Sequence, residues 1–176
     1  VLFGYSRGGN LAFHVAHRLE ARGHRVGDVV MLDSSRFLRP VPFPPEEAAR
    51  LATEFLSSAQ VREVAHSPLL RDKAYRRIRR YYEMLSTLVD DTPIAADIHL
   101  IASPTGRGSH SDASGNLAVS QAAWAEVTRG RFHRHLGHGD HGQMLSDPHF
   151  AGNLAAIRAI LDTAAATRSL DQGKAS

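Results

Sequence analysis

The stretch Val1-Leu2-Phe3-Gly4-Tyr5-Ser6-Arg7-Gly8-Gly9-Asn10 opens the chain and places a serine between two glycines, directly after a short apolar run. The run from Val1 to Tyr5 is short, mostly apolar and followed by a break in pattern, which predicts a buried strand. From Gly8 onward the apolar residues recur at helical spacing, and Gly23 is suited to end that helix. Ser6 therefore lies at a predicted strand-to-helix turn.

The pattern after this helix predicts a parallel sheet. A second apolar run ends at Asp33, and strand, helix and strand together form a βαβ unit. Further strands are predicted over residues 98–102 and 132–136, with a closing amphipathic helix over 149–167. The polar, glycine-rich segment 103–116 is expected to be a loop, followed by a short helix around 119–127 that carries the only tryptophan.

Residues 40–92 interrupt the alternation of strands and helices. Closely spaced prolines break the pattern, and two helical patterns follow, over about 45–65 and 72–88. We interpret this segment as a two-helix insertion within a domain that spans residues 1–168, with 169–176 as a tail. Since a first strand needs a partner, we expect the first strands of the domain to be missing from this chain.

Composition excludes several classes of protein. No apolar run approaches the roughly 20 residues of a membrane-spanning helix, and no signal-peptide pattern is present. The absence of cysteine excludes disulfides and thiolate metal sites and suits a cytoplasmic location. The net charge is only +3, and the basic residues between Arg71 and Arg80 fall at helical spacing. This pattern favours a solvated surface over a nucleic-acid interface.

The residues Gly4-Tyr5-Ser6-Arg7-Gly8 match G-x-S-x-G, the motif that presents a nucleophilic serine on a strained strand-to-helix turn. We expect Gly4 and Gly8 to be small because larger side chains would collide with the backbone of this elbow. The amide N–H of Arg7 is the expected oxyanion-hole donor. In the alternative interpretation the turn is merely glycine-rich and Ser6 caps the helix.

A serine nucleophile needs a histidine base, and that base needs an acid to hold its tautomer. His133 and His135 alternate along a predicted strand and are expected to share an exposed face. His138 and His141 lie after the strand, at the sheet edge where ligands bind. We favour His141 over His138 because a helix start follows it. No recognised ligand spacing is present, so no metal is predicted.

Two carboxylates are candidates for the acid. Asp33 ends the strand that follows the nucleophile's helix, so its backbone is expected to be rigid, which favours it. Asp112 lies ten residues beyond the end of the third predicted strand, within the polar segment. Asp140 adjoins His141 and is expected to point away from its ring, as part of the loop structure.

Together these residues resemble the type I thioesterase domain that ends a nonribosomal peptide synthetase, a member of the α/β-hydrolase superfamily. GYSRGG at 4–9 is similar to the family's G-Y-S-x-G-G, and VVMLDSS at 29–35 resembles its second strand with the acid at the end. GHGDHGQML at 137–145 resembles its G-x-H-x-x-M-L histidine loop, with His141 in the histidine position. The two-helix insertion resembles the family's lid.

The resemblance implies an α/β-hydrolase fold, a mostly parallel sheet flanked by helices, with a lid over about 40–92. It implies that Ser6, with His141 as base and Asp33 orienting it, takes a peptide from a thioester on the phosphopantetheine of an upstream peptidyl carrier domain. Water or an internal nucleophile then releases a linear or cyclic product. No bound cofactor, nucleic acid or membrane is implied, and the basic stretch 71–80 is a candidate docking site for an acidic carrier domain.

Three alternatives stay open from the sequence. Polyketide and stand-alone editing thioesterases share the triad but more often have G-H-S around the serine, where this chain has Tyr5. A carboxylesterase of the same fold more often keeps its acid after the later strand, which would favour Asp112 over Asp33. A non-catalytic hydrolase-like docking module would keep the fold without the chemistry.

Overall fold

A computed structural model describes residues 1–41, 44–57, 67–105, 109–111 and 117–173. The described strands are β1 (Leu2–Tyr5), β2 (Asp28–Leu32), β3 (Arg36–Phe37), β4 (Asp97–Ala102), β5 (Ser109–Ser111), β6 (Leu117–Ser120) and β7 (Phe132–Leu136). The described α-helices are α1 (Arg7–Glu20), α2 (Pro45–Ser57), α3 (Pro68–Leu85) and α4 (Phe150–Gly173). The 3₁₀ helices Ala122–Val127 and His141–Gln143 precede and follow β7. The chain divides into two compact units: Val1–Leu38 with Asp90–Ser176, and Arg39–Val89.

The larger unit is built on a parallel sheet with the strand order β1-β2-β4-β7. Helix α1 connects β1 to β2, which confirms the predicted βαβ unit. Because the four strands run in the same direction, the segments that follow them meet at one edge of the sheet. Ser6, Asp33 and His141 all lie in such segments.

The central strands β2 and β4 are buried on both faces, as is typical of parallel sheets. Every residue of β2 is buried, and its side chains alternate between two apolar clusters. Met31 contributes to one cluster, with Phe13 of α1 and the fully buried Trp124. Val30 contributes to the other, with Ile160 of α4. The two helices thus cover opposite faces and leave the strand ends open.

A buried carboxylate holds the larger unit together where the smaller unit leaves and returns. Asp90 is fully buried and accepts hydrogen bonds from Nδ2 of Asn10 at 2.7 Å and from the N–H of Phe37 at 2.8 Å. Nε2 of His14 lies 2.9 Å from its other oxygen. The backbone carbonyl of Asp90 accepts from Nε of Arg36 at 2.7 Å. Helix α1 is therefore linked to β3 through this buried carboxylate.

The smaller unit, Arg39–Val89, contains the predicted helix pair. Helix α2 begins at Pro45, as expected, and ends at Ser57, while the remainder of its predicted span, 58–66, lies outside the described residues. Helix α3 begins at Pro68 rather than at Asp72, because Ser67 caps it and a proline is well placed in the first turn. It ends at Leu85 rather than Leu88.

The prediction of a loop over 103–116 is wrong for part of that segment. Strand β5 lies within it, and β5 pairs with β6, which pairs with β3, in a small antiparallel sheet. Residues 106–108 and 112–116 lie outside the described residues. Val119 belongs to β6 rather than to a helix, because it pairs with Phe37. Trp124 lies in a 3₁₀ helix.

Two expectations for residues after 130, one for the tail and one for β7, are corrected. Helix α4 continues to Gly173, so the tail predicted from 169 is helical up to that residue. His133 and His135 share a face of β7 but are half-buried rather than exposed, because both rings stack on His99 of β4.

No helix among the described residues is long and apolar enough to cross a membrane. The expected cytoplasmic location stays a prediction.

The turn between β1 and α1 is tighter than its motif suggests. A Cβ at Gly4 would lie 2.0 Å from the carbonyl oxygen of Gly8, so only glycine fits at that position. A Cβ at Gly8 itself would have nothing within 4 Å, so the expected collision there is wrong. The second close approach is instead at Gly9, where a Cβ would lie 2.1 Å from Oγ of Ser34.

Gly8→Ala and Gly9→Ala form a matched pair of variants. We expect Gly9→Ala to lower the free energy of unfolding by about 1–3 kcal/mol, because Ser34 has to move. We expect Gly8→Ala to leave it unchanged or to raise it by about 0.4–1 kcal/mol, because alanine fits a helix and restricts the unfolded chain. Urea unfolding followed by circular dichroism measures both, and equal destabilisation by the two variants would contradict this account.

Candidate active site

Ser6 is held in a strained turn with its hydroxyl unused by the helix. Its φ of 55° is in the left-handed region, which side-chain-bearing residues rarely adopt. The backbone holds it there: the N–H of Ser6 donates to the carbonyl of Leu32 at 2.8 Å. Its carbonyl accepts from the N–H of Gly9 at 3.1 Å and from Oγ of Ser34 at 2.6 Å. The side chain makes no capping hydrogen bond to α1, which disfavours the interpretation of Ser6 as a cap.

Asp33 follows β2 directly and is buried, with 6% of its surface exposed. One oxygen, Oδ1, accepts hydrogen bonds from the backbone N–H of Ser103 at 2.9 Å and from Nε2 of Gln121 at 2.7 Å. The other, Oδ2, lies 2.7 Å from Nδ1 of His141. Its backbone φ of 48° is also left-handed. The carboxylate is thus fixed between segments that follow three different strands.

Burial alone would raise the pKa of the Asp33 carboxyl. The hydrogen bonds with His141, Ser103 and Gln121, together with the attraction of His141, outweigh it and lower the pKa to about 2. Asp33 is therefore ionised at any pH at which the protein would work.

His141 begins the 3₁₀ helix after β7, and 43% of its side chain is exposed. Its ring stacks on the ring of Tyr5, with centroids 5.1 Å apart and planes 24° apart. The hydroxyl of Tyr5 also donates a hydrogen bond to the backbone carbonyl of His141. Because Tyr5 immediately precedes Ser6, these two contacts fasten the histidine loop to the turn that carries the serine. Burial, and to a lesser extent Asp33, raises the pKa of Tyr5, which keeps its hydroxyl protonated as a donor.

The other predicted candidates lie elsewhere. The backbone N–H and carbonyl of His138 bond to the side chain of Asn153, which fixes this residue against α4. Asp140 accepts from Oγ1 of Thr105, in agreement with its expected place in the loop structure. Asp112 lies outside the described residues.

The Arg7 guanidinium lies 4.2 Å from the ring centre of Phe37, a cation–π distance.

Sequence reasoning missed the residues that hold Asp33 and His141. Gln121 and Ser103 had no motif and are buried polar groups beside the predicted acid. The motif includes Tyr5 only as the residue before the serine and does not predict its contacts with His141. In the sequence, the one indication of such a role is a polar residue next to a strand end, as at Ser103 and Gln121. The partner of such a residue follows only from the tertiary structure.

The family model of the thioesterase domain matches residues 1–160 of this chain. The chain belongs to the thioesterase domain family. Among curated relatives, this thioesterase domain is 30% identical over 174 residues to tyrocidine synthase 3 of Brevibacillus parabrevis. It is 31% identical over 163 residues to a mycosubtilin synthase protein of Bacillus subtilis. These matches cover 91% and 92% of the chain but only 3% and 6% of the relatives, so the chain spans a small part of their length.

Solved structures agree with the family. The thioesterase domain SrfTE, whose structure explains the cyclisation of the lipopeptide antibiotic surfactin, is 26% identical with a TM-score of 0.72. That match covers 91% of this thioesterase domain and 66% of SrfTE. The NocB thioesterase domain, solved as a covalent complex with a fluorophosphonate nocardicin G analogue, is 20% identical with a TM-score of 0.61 and supports the fold alone. That match covers 91% of this chain and 65% of the NocB chain.

Asp33→Asn isolates one contribution to acid stability. The folded pKa of about 2 lies below the ordinary value of 3.8, so ionised Asp33 stabilises the fold above about pH 4. That stabilisation, about 2 kcal/mol, is lost as the pH falls toward about 2. Between about pH 5 and pH 2 the free energy of unfolding of the wild type should therefore fall further than that of Asp33→Asn, by this amount. Urea unfolding at constant ionic strength measures the difference, and parallel profiles for the two proteins would refute the assignment.

Proposed function

We propose that this chain releases an acyl group from a thioester through Ser6, His141 and Asp33 acting as nucleophile, base and orienting acid. The observation that carries the proposal is the 2.7 Å contact between Nδ1 of His141 and Oδ2 of Asp33, next to the strained turn of Ser6. Membership of the thioesterase domain family supports the choice of thioester chemistry.

The geometry around His141 suits a general base. With Asp33 ionised, the proton on Nδ1 of His141 is held by the carboxylate, which leaves the lone pair on Nε2 to accept the proton of Ser6. Tyr5 stacks on the ring and limits its rotation. These two contacts fix the tautomer and the orientation of the imidazole before substrate binds.

Acyl transfer then proceeds in two halves. Oγ of Ser6 attacks the thioester carbonyl while His141 takes its proton, and the amide N–H of Arg7, at the first residue of α1, donates to the oxyanion. The C–S bond breaks, and the proton passes from His141 to the departing thiolate. In the second half His141 deprotonates water or a nucleophile of the acyl chain, which attacks the ester and frees Ser6.

We further propose that the acyl group is a peptide carried by the phosphopantetheine of an upstream carrier domain and is released by hydrolysis or macrocyclisation. Similarity to synthases named for tyrocidine and mycosubtilin, and to a domain that cyclises surfactin, supports a peptide substrate. Among the alternatives, a carboxylesterase with its acid after the later strand is disfavoured, because Asp33 is the residue in contact with His141.

A basic stripe on α3 is the proposed docking surface for the carrier domain. The exposed Lys73, Arg77 and Arg80 are spaced i, i+4 and i+7, so they share one face of the helix. Arg76 and Arg79 instead pair with Asp72 at 2.7 Å and Glu83 at 3.1 Å. The stripe thus concentrates positive charge on one face, which suits an acidic partner.

An acyl-pantetheine thioester followed by intact-mass spectrometry tests the chemistry. We expect an acyl adduct that is absent in Ser6→Ala and that forms about 10⁴-fold more slowly in Asp33→Asn, because the imidazole loses its tautomer. Asp112→Asn is the matched control and should leave the rate unchanged. If the folded protein forms no adduct, the proposed catalysis is wrong and the non-catalytic docking module is the remaining interpretation. If Asp112→Asn alone slows the adduct, the result favours a carboxylesterase.

Charge reversal tests the docking surface separately. We expect Arg77→Glu with Arg80→Glu to raise KM for a carrier-bound acyl substrate by about tenfold, because each charge contributes mainly to association. Turnover of the free acyl-pantetheine thioester should not change, because that substrate lacks the carrier. Arg158→Glu, at an exposed position of α4, is the control. An unchanged KM for the carrier-bound substrate would remove the proposed surface.

A further inference from the structure

Five titratable side chains meet on one face of the sheet, from the first residues of β2 and β4 to His135 in the second half of β7. The register pairs Asp28 with Asp97 and His99 with His133, and residues two apart on a strand share a face. Asp28, Asp97, His99, His133 and His135 therefore lie together, and we refer to them as the histidine cluster. None of them belongs to the candidate active site, which lies at the carboxyl ends of the same strands.

The ligand atoms of this cluster converge. One ligand atom each of Asp97, His99 and His133 lies within 4.8 Å of the other two. Oδ1 of Asp28 lies 3.4 Å from Nε2 of His99. Zinc bonds of about 2.0–2.2 Å at tetrahedral angles separate two ligand atoms by about 3.4 Å, so this pair already has the spacing of ligands on one ion.

The other nitrogen of His99 has the partner that a metal-bound histidine requires. Nδ1 of His99 lies 3.3 Å from Nε2 of His135. Histidines that bind a metal through one nitrogen almost always donate the N–H of the other to a nearby acceptor, which fixes the ring. The rings of His99 and His133 stack with centroids 4.6 Å apart and planes 14° apart, so one ring has to tilt before both direct a lone pair at the same ion.

The charges of the cluster suit a divalent cation. A metal ion binds the lone pair of a neutral imidazole, and the two carboxylates, Asp28 and Asp97, balance the charge of the ion.

The surroundings leave room for an ion to enter. A cavity of about 610 Å³ lies against the cluster, and its opposite wall is formed by small residues of α4, including Ala156, Ala159 and Thr163. Asp97 also accepts from the backbone N–H of Arg131 at 2.8 Å and lies 3.2 Å from its guanidinium. Since the Arg131 side chain is mostly exposed, it is able to turn toward solvent when Asp97 turns to a cation.

We propose that the histidine cluster binds one zinc ion. The ligands are Asp28, Asp97, His99 and His133, and His135 positions the ring of His99. Nitrogen and carboxylate ligands in a tetrahedral set of four suit Zn²⁺ better than Mg²⁺ or Ca²⁺, which prefer oxygen. A closed set of four protein ligands makes the site structural, joining β2, β4 and β7 below the candidate active site. The sequence predicted no metal, because these residues come together only through the register of three strands.

Zinc titration of the 176-residue chain tests the proposal. We expect isothermal calorimetry and elemental analysis after dialysis to give one zinc per chain, with a rise in Tm on zinc addition. His133→Gln should weaken zinc binding by about 100-fold or more and abolish the rise in Tm, because it removes a ligand. His135→Gln should weaken zinc binding by about 10–100-fold, because it removes only the support of His99.

Two control variants make the outcome decisive. His24→Gln removes an exposed histidine outside the cluster, and His141→Gln removes the half-exposed histidine that contacts Asp33. Both should bind zinc as the wild type does. Absence of stoichiometric zinc in the folded wild type would overturn the proposal. So would zinc binding that survives His133→Gln but is lost in His141→Gln, because the ion would then belong to the candidate active site.

Discussion

The tight return of helix α1 over strand β1 is the constraint on which the site depends. At Gly4 the two segments approach so closely that a single methyl group would overlap the backbone of Gly8. Ser6, at the turn between the two segments, has a left-handed conformation, and hydrogen bonds with Leu32 and Ser34 hold it there. The strain is local, but it is balanced by contacts to the next strand. The serine is therefore presented at the sheet edge by the fold rather than by its own side-chain interactions, since its hydroxyl takes no part in capping α1.

Asp33 gathers the remaining parts of that edge. Its carboxylate contacts groups from three segments that are far apart in sequence, at Ser103, Gln121 and His141. A buried carboxylate with fewer partners would be costly to ionise, so the low pKa of Asp33 depends on all three contacts together. The hydrogen bond with Asp33 sets the position of the imidazole of His141, and the ring of Tyr5 stacks on the imidazole ring. His141, Asp33 and the serine turn are thus coupled through packing.

The edge and one face of the sheet carry different chemistry. The carboxyl ends of the strands hold the polar groups of the candidate active site, as parallel sheets commonly do. The histidine cluster begins at the first residues of β2 and β4 and continues along one face of the sheet, where the same parallel register aligns side chains of neighbouring strands instead of the loops that follow them. A metal ion in the cluster would fix the relative positions of β2, β4 and β7. Since Asp33 and His141 follow two of these strands, such an ion would support the active site from below without touching substrate.

The amino-acid sequence by itself determined the parallel sheet and the serine turn, and it favoured Asp33 over Asp112 as the partner of the histidine loop, because these follow from local pattern and from the order of elements along the chain. The strand ends of a βαβ sheet meet whatever the details of packing, so residues at those ends are predictable. The tertiary structure alone decided the rest. The collision at Gly9 depends on where Ser34 lies, and Gln121 acquires a role only when β6 brings it to Asp33. The histidine cluster depends on the register between strands. Local sequence does not encode that register, because each strand contributes only one or two of the five side chains of the cluster.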